Sequence, residues 1–305
     1  MLNVGNVGEL PENFKIRQPL WPNNSRFGVC LTHDVDRVKK TYQYFTHSIK
    51  KRNLSQIFSF LKSIDEPYWQ FENIRSIEEG YGVRSTFFFL NETIKFNPLN
   101  PGNWPFSLGR YDINSPKIKK VIRDLDKNGW EIGIHGSVRS YNDIKLLGWE
   151  KKVLEQILGH KISGGRQHWL NLKIPESWKI HQELGLKYDS TFGKKYGVGF
   201  RDKIFHPFSP FNNDFLVFPL AIMDSFLFSK CKSFEDAIIE CDKVIEKARS
   251  ENGLLTILWH QSTFNEEEFE NYSKVYKYII EKCLSDGAWI GTCEQAYNFI
   301  TKKSG

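Results

Sequence analysis

The sequence contains no apolar run that approaches the roughly 18 residues needed to cross a bilayer. Its first residues, MLNVGNVGELPENF, have neither the basic region nor the apolar core of a secretory signal. These absences predict a cytoplasmic protein that is not integral to a membrane.

The sequence has few cysteines, and their spacing does not suggest pairs. The five cysteines, Cys30, Cys231, Cys241, Cys283 and Cys293, are scattered without a C-x-x-C pair. An odd number at irregular spacing indicates neither a disulfide framework nor a cysteine zinc site, so we expect buried thiols.

The chain also lacks a block of like charge. Its 42 basic and 36 acidic residues are interspersed and give a net charge of +6, and no internal repeat or low-complexity tract interrupts them. This pattern is typical of a solvated surface and argues against a nucleic-acid partner.

Short apolar runs alternate with segments of helical periodicity along the 305 residues. Repeated strand–helix units predict parallel strands, as in an α/β barrel. We expect an N-terminal extension over residues 1–25, one domain over 26–300 and a helical insertion after the first strand, where apolar residues recur from Val38 to Leu61. Strands are predicted at 27–32, 84–92, 131–134, before 165, near 188 and at 254–260, and helices at 74–79, 116–129, 144–158, 176–184 and 234–250. A further apolar run covers 215–224.

Polar side chains follow several of these predicted strands. They are Asp34 and Asp36 after the first strand, then His135, then Arg166 with His168, and finally His260. Because the carboxyl ends of parallel strands meet on one face of such a fold, we expect these residues to share a site.

Asp34 and Asp36 lie two residues apart, so their side chains point to the same face, about 6.5–7 Å apart along the strand. One carboxylate can bind a metal while the other accepts a proton. A glycosidase carboxylate pair is the competing interpretation. The recurring histidines favour a divalent ion of the zinc type, and by the same alternation His33 should face away.

Six segments, THDVD, STFFFL, GWEIGIHGS, GRQHW, YDST and LLTILWHQ, occur in an order that resembles the polysaccharide deacetylase superfamily, carbohydrate esterase family 4. The resemblance spans about residues 26–300 and is nearest to the deacetylase-like proteins of bacterial surface-glycan gene clusters. It implies a distorted (β/α) barrel and metal-dependent removal of an N-acetyl group from a sugar.

The resemblance also implies roles for individual residues. Asp34 would be the catalytic base, which Arg166 orients, and His260 the general acid, which Asp189 orients. Asp36 and His135 would bind the metal, for which zinc is the favoured ion.

One motif departs from the family pattern. The second motif is H-x-x-x-H in the family, but here HGSVR puts Arg139 at the position of the second histidine. Either the metal is lost, or His168 completes the triad with His33 in reserve.

Several further residues are candidates for substrate contacts. Trp169, Trp259 and Tyr141 could pack on a sugar ring, and Arg139 and Arg201 could meet a substrate anion, although core packing and surface ion pairs are the alternatives. Asp224 either lines the site or begins a helix.

The sequence therefore predicts a metal-dependent N-deacetylase of surface-polysaccharide biosynthesis. Its substrate would be an N-acylated sugar, either nucleotide-linked, lipid-linked or oligomeric. The alternatives are a catalytically inactive carbohydrate-binding protein of the same fold and a glycan hydrolase that uses Asp34 and Asp36 directly.

Overall fold

The computed structural model describes residues 5–40 and 66–302. The strands are β1 (Asn6–Val7), β2 (Lys15–Ile16), β3 (Phe27–Val35), β4 (Thr86–Leu90), β5 (Glu131–Gly136), β6 (Gly164–Gln167), β7 (Leu172–Lys173), β8 (Tyr188–Asp189), β9 (Phe208–Ser209), β10 (Leu216–Val217), β11 (Leu220–Met223), β12 (Leu254–Leu258) and β13 (Ala288–Gly291). The α-helices are α1 (Phe71–Gly80), α2 (Trp104–Ser107), α3 (Pro116–Lys127), α4 (Ile144–Leu158), α5 (Glu176–Glu183), α6 (Asp224–Lys230), α7 (Phe234–Ser250), α8 (Tyr272–Ser285) and α9 (Cys293–Lys302). Short 3-10 helices lie at Pro22–Asn24, Pro101–Asn103, Ser140–Asn142, His168–Leu170, Arg201–Lys203 and Gln261–Phe264.

One large sheet organises the fold. Its strand order is β11-β12-β3-β4-β5-β6-β8-β10-β9-β2, with β13 also paired to β3. The pairs from β11 through β10 are parallel, whereas β9 joins β10 and β2 in antiparallel pairs. The parallel strands bring their carboxyl ends to one edge, as the sequence predicts.

The sheet curls until its two sides approach each other. An isolated parallel bridge joins Gly193, after β8, to Leu220 in β11. This closure makes a distorted (β/α) barrel, which confirms the predicted fold class.

Helices surround the sheet because each presents an apolar stripe to it. In α3 the buried residues Ile118, Val121, Ile122 and Leu125 follow the helical repeat. The central strands are buried along their whole length, as in β3 and β4, which explains their continuous apolar character.

The predicted boundaries hold best for the long elements. Helices 144–158 and 234–250 match α4 and α7, whereas β3 continues past residue 32 to Val35 and so includes His33 and Asp34. The predicted insertion falls mainly on residues 41–65, outside the described residues, and the described positions 38–40 are not helical.

The N-terminal segment packs on the barrel. Its strand β1 pairs with β7, and β2 pairs with β9. Among the described helices, none is long and apolar enough to cross a membrane.

Candidate metal centre and active site

Neighbouring strands carry the predicted ligands to one place. In the ladder between β5 and β6, His135 lies opposite Arg166, two residues before His168. After His168 the chain turns sharply, with positive φ angles of 59° at Trp169 and 52° at Leu170. Bulky residues rarely adopt this left-handed conformation, and when they do it is often at a functional site.

Asp36, His135 and His168 form a compact group of possible metal ligands. His135 Nε2 lies 3.0 Å from His168 Nδ1 and 3.2 Å from Asp36 Oδ1, and His168 Nδ1 lies 3.3 Å from the same oxygen. A tetrahedral zinc ion with bonds of about 2.0–2.2 Å separates its ligand atoms by about 3.2–3.6 Å. The triangle of donor atoms therefore fits a zinc-type ion.

The hydrogen bonds around this group support the same conclusion. His135 Nδ1 lies 3.0 Å from the carbonyl oxygen of Arg166, which fixes the proton on Nδ1 and leaves the lone pair of Nε2 facing the group. Asp36 Oδ1 is buried without a hydrogen-bond partner among the described residues, although two ring nitrogens are near it. A shared cation would satisfy all three side chains.

The protonation states are those of metal ligands. Burial lowers the pKa of His168 to about 4, and this keeps the imidazole neutral. Burial alone would raise the pKa of Asp36, but the nearby His168 and His135 hold it well below its usual value. The group therefore offers a carboxylate and neutral imidazole at neutral pH.

Arg110 competes for His168. Its Nη2 lies 3.0 Å from His168 Nε2, and its Nη1 donates to the backbone oxygen of Asp36. A guanidinium can only donate, so this contact requires a lone pair on Nε2, whereas a metal ion requires the lone pair on Nδ1. A neutral imidazole cannot provide both.

We therefore expect Arg110→Gln to bind zinc about tenfold more tightly than the wild type, since a glutamine oxygen can accept the Nε2 proton. Competition with a chromophoric chelator measures this affinity. Arg110→Lys keeps a donor at the position and serves as the control. An unchanged or weaker affinity in Arg110→Gln would contradict the prediction.

Asp34 is held as an ion pair. Arg166 Nη1 donates to Asp34 Oδ1 at 2.9 Å and to Thr32 Oγ1 at 2.7 Å, while its other nitrogens donate to Ser190. Arg166 is 1% exposed, so removing one partner of this pair would cost about 3–5 kcal/mol. The second oxygen of Asp34 lies 3.6 Å from His135 Nε2, beside the ligand group.

The aspartate that orients His260 is Asp224, so the predicted partner Asp189 was wrong. His260 Nδ1 lies 2.7 Å from Asp224 Oδ1, and the His260 backbone N–H donates to Asp224 Oδ2. Thr263 donates to the same oxygen. Burial alone would lower the pKa of His260, but the charge of Asp224 outweighs it and raises the pKa to about 10.

Asp189 is used inside the fold. It accepts hydrogen bonds from Trp178 Nε1 and from the backbone and hydroxyl of Thr191, and it lies 3.3 Å from His181 Nδ1. In the sheet, β8 is separated from β12 by β6, β5, β4 and β3. Asp189 is therefore remote from His260 in the ladder.

His33, the reserve ligand, faces away from the group, as the alternation predicts. It is fully buried, with Nδ1 2.9 Å from the Trp259 oxygen and Nε2 2.9 Å from Glu78 Oε1. Glu78 also accepts from Ser85, Trp130 and Tyr276. His33 is thus part of a buried polar network behind the strand.

A cavity of about 320 Å³ opens onto the ligand group. Asp34, Asp36, His135, His168 and His260 all line it. This volume is at the lower end of the range of about 300–1,000 Å³ for small-molecule sites. Trp169 also lines the cavity and is 44% exposed, which leaves its ring available to a ligand.

The other predicted substrate contacts lie elsewhere. Trp259 is fully buried against Tyr272 and Tyr276, on the opposite side of the chain from His260. Arg139 and Tyr141 line a separate shallow depression.

Arg201 does not line the cavity either. Its guanidinium lies over the ring of Phe192, and its Nε donates to Asp202. Trp259 and Arg201 are therefore held away from the cavity by packing, whereas Arg139 and Tyr141 lie in the turn after β5.

No protein-family model matches the chain, and no curated protein does. Solved structures do share its fold. A protein of Mycobacterium smegmatis provisionally assigned as a polysaccharide deacetylase has a TM-score of 0.62 at 17% identity, with 97% of this chain and 96% of that chain covered.

Two further structures are similar over nearly their whole length. Puue allantoinase has a TM-score of 0.60 at 13% identity, and 92% of each chain is covered. A protein of Pseudomonas aeruginosa PAO1 described as a probable polysaccharide deacetylase has a TM-score of 0.58 at 12% identity, with 94% of each chain covered. These likenesses confirm the polysaccharide deacetylase fold that the sequence motifs predict.

Proposed function

We propose that the chain is a metal-dependent hydrolase that removes an N-acyl group, by preference N-acetyl, from a sugar. One observation carries the proposal: a three-donor ligand group, a carboxylate paired with Arg166 and a histidine paired with Asp224 all line one cavity. Hydrolysis of an amide needs a proton acceptor for water, an electrophile for the carbonyl and a proton donor for the amine.

The ligand group supplies the electrophile. Asp36, His135 and His168 would hold the ion, and a bound zinc-type ion would polarise the acyl carbonyl and lower the pKa of a water molecule. Zinc itself stays a prediction from the donor set.

Asp34 is the proton acceptor. It lies beside the ligand group, and its ion pair with Arg166 holds the carboxylate in place to take a proton from water. Arg166 in turn is fixed by Thr32 and Ser190, so the position of the base is set by buried groups.

His260 is the proton donor. Its raised pKa of about 10 keeps it protonated through the neutral range, ready to protonate the leaving amine. Its side chain is 23% exposed and lines the cavity, so a substrate can reach it.

This assignment predicts the pH dependence of Asp224→Asn. The acid form of His260 exists below its pKa and is lost as the pH rises through it, so the wild type should keep its activity until near pH 10. Without the carboxylate, the pKa should fall toward 6.5 or below. At pH 8 this lowers kcat roughly 30-fold from protonation alone.

The pH–rate profile of kcat checks this prediction. Asp189→Asn is the matched control, because Asp189 contacts Trp178 and Thr191 and not His260. An alkaline limb that moves in Asp189→Asn and stays in Asp224→Asn would contradict the assignment.

A direct assay tests the function. Acetate release is measured from N-acetylglucosamine, its 1-phosphate and its oligomers, before and after the protein is stripped with a chelator and reloaded with zinc. Release that depends on the metal supports the proposal. No release from any N-acetylated sugar by the loaded protein would contradict it.

The same contacts argue against a glycan hydrolase that uses the two aspartates. Such an enzyme needs one protonated carboxylic acid. The pKa of Asp36 is well below its usual value, and Asp34 accepts from a guanidinium. An inactive carbohydrate-binding protein would not need a carboxylate such as Asp224 to keep His260 protonated. Placement in surface-polysaccharide biosynthesis stays a prediction from the sequence motifs.

A further inference from the structure

Lys195 lies on the wall of the same cavity as the ligand group and His260. It is exposed, and within residues 5–40 and 66–302 its ammonium forms no ion pair. The ammonium lies 5.6 Å from the ring centre of Tyr196, which also lines the cavity and is 75% exposed. The Lys195 ammonium and the Tyr196 ring therefore lie next to each other on the cavity wall.

The stem of Lys195 rests on a fixed part of the backbone. A Cβ placed on Gly5 would lie 3.7 Å from Lys195 Cε. Gly5 is buried, its N–H donates to Asn171 Oδ1 at 2.9 Å, and its oxygen accepts from Leu172. This segment is therefore tied to the chain that follows His168, and the aliphatic stem of Lys195 lies near it, on the wall of the same cavity.

The neighbouring lysine has a different use. Lys194 donates to the backbone oxygen of Val198 at 3.0 Å and does not line the cavity. The two adjacent lysines thus differ in role. Lys194 binds the backbone of its own loop, whereas the ammonium of Lys195 lies at the cavity.

The carboxylates near the cavity already have a place in the proposed site. Asp34 pairs with Arg166, Asp36 belongs to the ligand group, and Asp224 is buried behind His260. Among the described residues that line the cavity, Lys195 offers a substrate a charged group that forms no ion pair, and this charge is positive. An ammonium attracts phosphate and carboxylate groups as a point charge.

We propose that the cavity takes sugars that carry an anionic group, a phosphate or a carboxylate, and that Lys195 binds this group. The inference rests on the proposed function, since it names the substrate class of that site. Lys195 then determines substrate specificity, a role separate from those of the base Asp34 and the acid His260.

Calorimetric measurement of sugar binding to the Asp34→Asn variant tests the inference. This variant should not deacetylate the sugar, so the sugar stays intact during the measurement. The probes are N-acetylglucosamine, N-acetylglucosamine 1-phosphate and N-acetylmuramic acid at low and high salt. We expect at least one anionic sugar to bind about tenfold more tightly than the neutral sugar at low salt, with the difference lost at high salt. A preference for only one of them identifies phosphate or carboxylate as the group.

The variants separate charge from shape. Lys195→Met should bring the anionic and neutral sugars to equal affinity, whereas Lys195→Arg and Lys194→Met should keep the preference. Equal affinities in the parent protein, an equal loss for all three sugars in Lys195→Met, or no binding of any of them would overturn the inference.

Acetate release by the wild-type protein, measured separately, distinguishes this inference from the proposed function. If an anionic sugar binds in a Lys195-dependent way but no N-acetylated sugar releases acetate, the anion site is supported and the deacetylase function is contradicted. If acetate is released with the same KM from neutral and anionic sugars, the deacetylase function is supported and the anion site is contradicted.

Discussion

Asp34→Asn is expected to lower kcat by about 10²–10⁴-fold while the protein still binds its metal. Asparagine keeps the shape of the side chain, but its amide cannot take a proton from water. Asp34 lies outside the group formed by Asp36, His135 and His168, so the metal affinity should change little.

Two measurements on the same preparation check this prediction: the steady-state rate of acetate release and the metal content. The loss of the charge opposite Arg166 also lowers stability, so thermal unfolding must confirm that the variant is folded at the assay temperature. A folded, metal-loaded variant with a kcat within about threefold of the wild type would exclude Asp34 as the base.

His168→Ala is expected to weaken zinc binding by at least about 100-fold, because it removes one of three protein ligands. Zinc should then no longer raise the midpoint of thermal unfolding, whereas in the wild type it should, since a ligand that binds only the folded state stabilises it. Equilibrium dialysis gives the affinity directly.

Two variants control for this result. His160→Ala removes an exposed histidine that pairs with Asp126, away from the ligand group, and should bind zinc as the wild type does. His168→Ala combined with Arg139→His restores H-x-x-x-H in the sequence, but residue 139 is exposed at a separate depression, so binding should stay lost. Zinc binding that returns in the double variant would mean that position 139 reaches the metal.

The sequence could predict the ligand group because the carboxyl ends of parallel strands meet at one edge of the sheet. Residues at these ends can therefore be grouped without knowing the strand order. Asp36 and His168 follow β3 and β6, and His135 lies near the end of β5, so the three side chains meet at one edge. The period of two along a strand also predicts that His33 points away from the side chain of Asp34.

The partner of His260 could not be predicted in this way. Asp189 ends β8 and Asp224 directly follows β11, and only the sheet order decides between them. The pairing of β11 with β12 sets Met223 opposite Leu258, so the next residue, Asp224, comes beside His260. This neighbourhood arises from the parallel pairing of β11 with β12, which the local sequence pattern does not encode.

Trp259 shows a different error. Leu258 and His260 line the cavity, so alternation turns the residue between them outward onto Tyr272 and Tyr276. Proximity in sequence to a site residue therefore misled the prediction, although the same alternation rule had placed His33 correctly. Arg110 and Lys195 carried no strand-end signal, because loops bring them to the site.

Elemental analysis of the purified wild-type protein shows whether Asp36, His135 and His168 bind one divalent ion. We expect close to one equivalent of zinc or a similar ion, which Asp36→Ala, His135→Ala and His168→Ala each lose. A wild-type protein that holds no metal, even after incubation with divalent ions, would contradict this expectation.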